Sequence, residues 1–280
     1  MKELHEFRIY EKYSNLLFQP DEGKKTGIYR VIEVERDDPK FEQIRALNEK
    51  IKRDHNDFLF LYSNVKRVYT EIELRQAVLF HIELTSVFEP AGEECGTKYD
   101  EASACDICGA NRRQIGPLIL KKGTVPKKDI ACTIAGEIVV SKHFAESFIR
   151  HNLKGLSFDT VIFGKQASDH YQLIITSPEL SVTKSTIAGN NVFDLGSSSE
   201  MEIYRCPKGH TIGLNLVSEV FLANNSQIGK YDFFATKEKV GINRGLLRPQ
   251  PLYLCSSAFK RMVEKEKITG LTFEVAHIER

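Results

Sequence analysis

Two short motifs that lie far apart in the chain carry three cysteines and one histidine at the spacing of metal ligands. The first is Cys105-Asp106-Ile107-Cys108-Gly109, and the second is Cys206-Pro207-Lys208-Gly209-His210, which follows the strand-like run 201–205. Three thiolates and one imidazole are a common ligand set for tetrahedral structural zinc. Because 97 residues separate Cys108 from Cys206, an ion held by both motifs would clasp two distant segments together.

The two motifs predict a structural Zn²⁺ with four protein ligands: Cys105, Cys108, Cys206 and His210. A glycine in each motif favours the tight turn in which backbone N–H groups face the sulfurs. Four protein ligands leave no coordination position for a substrate or a reactive water, so we expect no catalytic metal. Two other interpretations stay open: a reduced or redox-active Cys105/Cys108 pair, and surface cysteines unrelated to a metal.

Composition and charge are those of an ordinary globular protein. Hydrophobic residues make up 41% and charged residues 28% of the 280 residues, and the formal net charge is +1. A nearly neutral chain has no global attraction to nucleic acid or to a membrane surface. The chain has no apolar run long enough for a transmembrane helix, and its charged N-terminus lacks the apolar core of a signal peptide. Since four of the six cysteines need no disulfide explanation, a cytoplasmic location is predicted.

Residues 1–90 alternate between strand-like and helix-like segments and predict an N-terminal α/β-like module. Strand-like composition is found in 27–34, 58–62 and 79–88. Apolar residues at helical spacing predict a helix over 41–52. Thr70 and Glu73 form a Thr-x-x-Glu pattern that predicts the start of another helix.

Residues 91–280 are predicted to form a zinc-clasped body that contains an internal duplication, with copies at 137–162 and 251–278. The two copies are offset by a constant 115 residues. The shared positions are a helix-capping serine and a glycine after the helix: Ser141 and Gly155 in one copy, Ser256 and Gly270 in the other. A strand–helix–strand unit used twice predicts an α+β fold with mixed sheets, braced by a zinc-ribbon-like clasp.

The chain contains no known catalytic pattern, so we expect it not to be an enzyme. Gly-x-Gly-x-x-Gly, Walker, Gly-x-Ser-x-Gly and His-Glu-x-x-His motifs are all missing from the sequence. Cys95 has no inferable base. The scattered histidines fit surface or core positions better than catalysis: His143, His151, His170 and His277.

Two basic segments keep a nucleic-acid-binding function open as an alternative. Arg112 and Arg113 follow the first metal motif, and 121–128 contains four lysines. The arginines can instead pair with nearby carboxylates such as Asp100 and Glu101, and a short basic run is usually a solvated loop. The alternative interpretation is a zinc-ribbon nucleic-acid-binding or regulatory protein.

The motifs together resemble those of the bacterial double-CxxCG motif family, whose best-known members are immunity proteins of myxobacterial swarm-inhibition toxins. The resemblance covers Gly96-Thr97-Lys98-Tyr99-Asp100, both metal motifs and the duplicated units. The family's second motif is Cys-Pro-x-Cys-Gly, whereas here Gly209 stands in place of the cysteine and His210 in place of the glycine. A histidine can supply the fourth ligand.

The resemblance implies a cytoplasmic antitoxin that binds and neutralises one cognate protein toxin, encoded nearby, without catalysing a reaction. It implies no membrane association and does not point to nucleic acid as a partner. The charged loops 33–38 and 121–128 are the surfaces that we would test first for partner contact. The oligomeric state does not follow from the sequence.

Overall fold

The chain is an α+β protein with mixed parallel and antiparallel sheets. The computed structural model describes residues 1–189, 191–193 and 205–279, so the strand-like run 201–205 lies outside the described residues except for Arg205. The chain divides into two compact units. The first is Met1–Gln76 with Gly189–Glu200, and the second is Ala77–Ala188 with Met201–Arg280.

The first unit is a four-stranded antiparallel sheet with a long helix packed on one face. Its elements are β1 (Lys2–Tyr10), α1 (Glu11–Ser14), β2 (Lys24–Thr26), β3 (Tyr29–Glu35), α2 (Pro39–His55), β4 (Phe60–Val68) and α3 (Glu71–Gln76). The strand order is β2-β3-β1-β4. Asp38 caps α2, which contains the helix predicted over 41–52. Thr70 and Glu73 each accept a hydrogen bond from the other's backbone N–H, which confirms the predicted capping box of α3.

A histidine lies in the core of the first unit. His5 on β1 is fully buried, and its ring centroid is 4.5 Å from that of Phe41 on α2. Neither ring nitrogen has a hydrogen-bond partner among the described residues. Burial lowers the pKa of His5 to about 4, because the charged imidazole would lose its hydration.

Two six-stranded sheets and two helices make up most of the second unit. Its first strands are β5 (Leu79–Leu84), β6 (Val87–Phe88), β7 (Lys98–Asp100), β8 (Arg113–Ile115), β9 (Ile119–Leu120), β10 (Ile130–Thr133), β11 (Ile138–Ser141), β12 (Leu156–Phe163) and β13 (Gln166–Ile175). Its later strands are β15 (Thr211–Gly213), β16 (Asn215–Leu216), β17 (Val220–Ala223), β18 (Phe233–Val240), β19 (Gln250–Ser256) and β20 (Leu271–Glu279), while β14 (Ala188–Gly189) spans the point where the chain passes from this unit to the first. The helices are α4 (Lys142–Arg150) and α5 (Ser257–Glu266). Two small sheets pair β7 with β8 and β14 with β16.

The two large sheets have the same pattern of parallel and antiparallel strand pairs. One reads β6-β10-β11-β13-β12-β9, and the other reads β15-β18-β19-β5-β20-β17. In each, the four central strands are antiparallel, and both edge strands run parallel to their neighbours. The predicted strand–helix–strand units are β11–α4–β12 and β19–α5–β20, in equivalent places. The predicted strand–helix–strand unit is therefore present twice.

The fourth strand in each sheet order, β13 in one and β5 in the other, comes from a different part of the chain. β13 follows β12 directly, whereas β5 precedes every other strand of its sheet. The register is nevertheless equivalent, since Asp159 lies opposite Gln172 in the first sheet and Glu274 lies opposite His81 in the second. Because β5 belongs to this sheet, the N-terminal part of the first compact unit runs to Gln76, whereas the sequence predicted a module of residues 1–90.

Equivalent hydrogen bonds tie each copy of the duplicated unit to the other. An aspartate that precedes each copy in the chain accepts from the helix-capping serine of that copy and from a backbone N–H of the other copy. The donors are Ser141 Oγ (2.9 Å) and Thr269 N (2.9 Å) to Asp129, and Ser256 Oγ (2.7 Å) and Lys154 N (2.9 Å) to Asp232. The serines also accept from backbone N–H groups of α4 and α5, as predicted for helix caps.

Gly155 and Gly270 each lie at a close approach to the backbone of the other large sheet. A Cβ at Gly155 would lie 2.5 Å from the carbonyl oxygen of Phe233, and one at Gly270 would lie 2.0 Å from that of Ile130. Both glycines also have positive φ, +112° and +105°. Only glycine satisfies both constraints without strain.

Aromatic side chains from both copies form one cluster. Phe144 and Phe148 on α4 have ring centroids 6.1 and 6.2 Å from that of Phe259 on α5. Phe233 on β18 contacts Phe259 at 5.5 Å, and Phe158 on β12 contacts Phe148 at 5.6 Å. Burial of these rings is a large stabilising term that neither copy would have alone.

We expect Gly270→Ala to destabilise the protein more than Gly164→Ala. Both glycines have positive φ, but a Cβ at Gly164 would meet nothing within 4 Å. Backbone strain alone costs about 1–2 kcal/mol, and the clash at Gly270 should raise the loss to about 3 kcal/mol or more. Chemical denaturation measures both losses. Equal values would show that the two copies do not depend on this close approach.

The buried imidazole of His5 should make stability depend on pH. Its pKa is 6.5 when unfolded and about 4 when folded, so the unfolded chain binds more protons between these values. Stability should be greatest above pH 6.5 and fall as the pH drops toward 4, with a loss of about 2 kcal/mol between about pH 7 and pH 5. Denaturant titrations at both pH values test this. His5→Leu should remove this part of the pH dependence, and an unchanged dependence would contradict the assignment.

Candidate metal centre

The first motif forms a tight turn between β7 and β8. The N–H of Cys105 donates to Ala110 O at 2.7 Å, and the N–H of Gly109 donates to Cys105 O at 2.8 Å. Gly109 has a φ of +67°, and a Cβ there would lie 2.7 Å from the side chain of Asn243. The glycine that follows Cys108 is therefore required by both the turn and its neighbour.

An arginine at the end of this turn is engaged within the protein. The Arg112 guanidinium lies 3.9 Å from the ring centroid of Tyr99 and pairs with the carboxylates of Glu93 and Glu101. Asp100 accepts a hydrogen bond from Ala102 N. Of the carboxylates beside the first motif, Asp100 thus caps a turn and Glu101 binds Arg112. Pairing of an arginine with a nearby carboxylate was one of the two roles considered from the sequence.

Strand pairing in the second large sheet holds the second motif in place. The N–H of Gly209 donates to Cys206 O at 2.8 Å, and the N–H of Cys206 donates to Thr211 Oγ1 at 2.9 Å. Lys239 N donates to His210 O at 2.8 Å, where β15 runs parallel to β18. Both ligand residues of this motif are positioned by backbone bonds to ordered strands.

The four predicted ligand residues come together, and their ligand atoms all lie within 4.8 Å of one another. Sγ of Cys105 is 3.8 Å from Sγ of Cys206, and Nδ1 of His210 is 3.8 Å from Sγ of both Cys108 and Cys206. Bonds of about 2.3 Å to sulfur and about 2.0 Å to nitrogen place neighbouring tetrahedral ligands roughly 3.5–3.8 Å apart. The group can therefore hold a metal ion.

Local electrostatics differ between the two cysteines of the first motif. Backbone N–H groups of Cys108 and Ile107 face the Cys105 thiolate and lower the pKa of Cys105 to about 6. Burial raises the pKa of Cys108 to about 11. A bound cation would favour both thiolates, since thiols bind metals in the deprotonated form. At the surface, Lys208 Nζ and Asp106 Oδ1 lie 2.6 Å apart and form a second link between the motifs.

The four side chains can hold two chain segments together through one metal ion, but they would leave that ion no coordination position for a substrate or a reactive water. With four protein donors, an ion at this point would have the closed coordination of a structural site. Metal-activated water or a metal-bound substrate needs a vacant position. The centre would join the β7–β8 turn to the turn that precedes β15, two segments that are distant in the sequence.

The other residues considered from the sequence have structural contacts of their own. The histidine contacts are His143 Nε2 to Glu266 O (3.0 Å), His151 Nε2 to Glu266 Oε1 (2.8 Å), His277 Nε2 to Glu219 Oε2 (3.0 Å) and His170 with the ring of Phe163 (5.7 Å). Burial raises the pKa of the Cys95 thiol. Cys95 is therefore less nucleophilic at neutral pH than an ordinary exposed cysteine.

A polar cleft of about 260 Å³ lies beside the first motif. The Tyr99 hydroxyl donates to Glu137, which also accepts from the Thr133 hydroxyl. Burial and the Glu137 carboxylate raise the pKa of Tyr99. Burial lowers the pKa of Lys239, whose Nζ donates to Asn111 Oδ1 at 2.5 Å. These polar groups are engaged with one another and support the loop that carries the first motif.

Sequence analysis missed a second cluster of metal-ligating residue types. His81, Glu83 and Glu274 place one ligand atom each within 4.8 Å of the others. His81 and Glu83 are two residues apart on β5, a local pattern that is weak by itself. Glu274 lies on β20, near the other end of the chain, so no local spacing connects it to β5.

No protein-family model and no curated protein matches the chain. None of the described helices has both the length and the apolar character needed to cross a membrane. The Cys105/Cys108/Cys206/His210 centre is therefore the feature from which a function is best inferred.

Loss of one ligand should remove the metal and loosen the second unit. We expect Cys206→Ala to lower the melting temperature and to abolish any further effect of a chelator, because the binding free energy of a structural metal is part of the folding free energy. Cys95→Ala, which deletes a thiol outside the centre, is the control and should keep the chelator response. Equal metal content and equal melting temperatures in the two variants would rule out a metal-bound centre.

Proposed function

We propose that the centre binds one Zn²⁺ with a structural role. Three thiolates and one imidazole at tetrahedral spacing favour zinc over Mg²⁺ or Ca²⁺, which prefer oxygen ligands. The bound ion supplies the positive charge that keeps the thiols deprotonated. Cys105, Cys108, Cys206 and His210 hold it, and they thereby connect the two motifs.

We further propose that the protein is a non-catalytic immunity protein of the cytoplasm that binds and neutralises a cognate bacterial toxin. The observation that carries this proposal is the convergence of the two motifs on one centre, as the resemblance to the double-CxxCG family implies. The departure from the family's second motif is compatible with it, since Nδ1 of His210 lies 3.8 Å from Sγ of Cys206. A closed metal site is suited to bracing a binding surface.

Two exposed segments of opposite charge are the candidate contact surfaces: the end of β3 with the turn after it (33–38), and the loop 121–128. In 33–38, Glu35 pairs with Lys2 and Asp38 caps α2, so Glu33 and Asp37 are the exposed carboxylates best suited to substitution. The exposed lysines of 121–128 are Lys121, Lys122, Lys127 and Lys128. Charge on either loop would speed association with an oppositely charged partner.

The same basic loop is the observation that favours the alternative, a zinc-ribbon nucleic-acid-binding or regulatory protein. Four exposed lysines can meet phosphates. Arg112, by contrast, is engaged by Tyr99, Glu93 and Glu101, which leaves its guanidinium poorly placed for phosphate. Nucleic-acid binding would weaken steeply with salt, which separates this function from binding of a protein toxin.

Purification of the tagged protein from its own cells, with mass spectrometry and metal analysis of the same sample, tests the proposed function. We expect one stoichiometric protein partner encoded by a neighbouring gene and one zinc per chain. That partner should be toxic when expressed alone and harmless when expressed with this protein.

Two loop variants sharpen the experiment. One carries glutamine at the four exposed lysines of 121–128, and the other combines Glu33→Gln with Asp37→Asn. The variant that loses the partner and the protection identifies the contact loop, and retention by both would eliminate both loops. Nucleic acid that salt releases from the purified protein, or the lack of any protein partner, would contradict the immunity function.

A further inference from the structure

We propose that His81, Glu83 and Glu274 form a second metal site, which binds a divalent transition-metal cation such as Zn²⁺ or Mn²⁺. The three ligand atoms lie within 4.8 Å of one another. The site shares no residue with the Cys3His centre, and the proposal does not depend on the toxin-binding function.

Strand geometry places the three side chains on one face of the second large sheet. His81 and Glu83 are two residues apart on β5, so their side chains point to the same face of the sheet. Glu274 lies directly opposite His81 on the antiparallel strand β20, and Thr272 lies opposite Glu83. Side chains of directly opposed residues are neighbours on such a face. The Thr272 hydroxyl also lies 3.4 Å from Glu83 Oε2 and helps to orient this carboxylate.

Burial makes an unfilled arrangement unfavourable. His81 and Glu274 are each only 6% exposed. Nδ1 of His81 is inaccessible to solvent and has no hydrogen-bond partner among the described residues. A buried polar atom without a partner is destabilising, and a buried carboxylate beside it favours positive charge at this point. A cation bound to Nδ1 and to the carboxylate oxygens would give Nδ1 a partner and would neutralise the buried carboxylate.

The separation between the imidazole and the carboxylate suits a bridging ion. Nδ1 of His81 lies 3.9 Å from Oε2 of Glu274. A direct hydrogen bond needs about 2.7–3.2 Å, whereas two ligands about 2.1 Å from one ion lie roughly 3–4 Å apart. Glu83 is exposed, so a cation can reach the site from solvent and keep water as further ligands.

The architecture of the sheet does not require the complete set of three ligand types at these positions. The first sheet has the same pattern of strand directions and an equivalent register, yet only one of its three equivalent residues, Asp159, is ionisable. Its residues equivalent to His81, Glu83 and Glu274 are Gln172, Ile174 and Asp159. The ligand set is therefore specific to the second sheet and is not a by-product of the duplicated backbone.

The mixture of donors defines the class of ion. One imidazole nitrogen and two carboxylate oxygens suit zinc or manganese, while soft ions prefer thiolates. Magnesium and calcium prefer sites made of oxygen alone. With three protein ligands, the site differs from the closed Cys3His centre in leaving coordination positions to water.

Metal counting on the full-length protein tests the proposal. Wild-type protein and Glu274→Gln are dialysed against Zn²⁺, freed of unbound ion, and analysed for bound zinc. We expect the wild type to hold one equivalent more than the variant, whose affinity at this site should fall at least about tenfold. With Co²⁺ in place of Zn²⁺, the additional equivalent should add no sulfur-to-metal charge-transfer absorption, because this site contains no thiolate.

Two further variants separate this outcome from misfolding and from surface binding. Glu83→Gln changes an exposed ligand and should lose the same equivalent without loss of fold. Glu219→Gln alters a His–Glu pair with His277 on the same sheet and should keep both equivalents. If wild type and Glu274→Gln bind the same amount of metal, the proposal is overturned. Zinc at the Cys3His centre is read independently, from the thiolate absorption of the cobalt form.

Discussion

The mutual contact between the two copies of the strand–helix–strand unit is the constraint on which the second compact unit depends. Asp129 and Asp232 each bind the capping serine of one copy and a backbone N–H of the other. The turns that carry these backbone donors, just before β12 and β20, approach a carbonyl oxygen too closely for any side chain, which is why Gly155 and Gly270 stand there. A helix cap and a glycine, each a local feature, together join two halves of a duplicated structure.

A metal ion bound at the Cys3His centre would add a link over a longer stretch of chain. The entropy cost of closing a loop grows only slowly with its length, so distant motifs can be joined at little extra cost. An ion that binds only the folded arrangement stabilises it by its binding free energy. The motifs themselves are short turns held by backbone bonds, and the sheet around β15 and β18 supplies the rigidity that positions Cys206 and His210.

The two sheets also show how one backbone can carry different chemistry. The middle strand of the first sheet follows its neighbours in the chain, while that of the second is β5, from the start of the unit. The strand pairs β12–β13 and β20–β5 have equivalent registers. Their ladder hydrogen bonds use only backbone groups, which every residue type supplies. The side chains are then free to differ, and at one equivalent position the first sheet has Gln172 where the second has His81.

The sequence by itself determined the local features and the donor set of the metal centre. It predicted the helix within α2, the capping box at Thr70, the duplicated unit and the four candidate ligands, because each rests on residues close in the chain or on residue chemistry. Only the tertiary structure decided that β5 joins the second sheet, that the first unit ends at Gln76, and that His81 meets Glu274. Strand pairing joins residues far apart in sequence through backbone groups that every residue type shares, so no local pattern records the choice of partner.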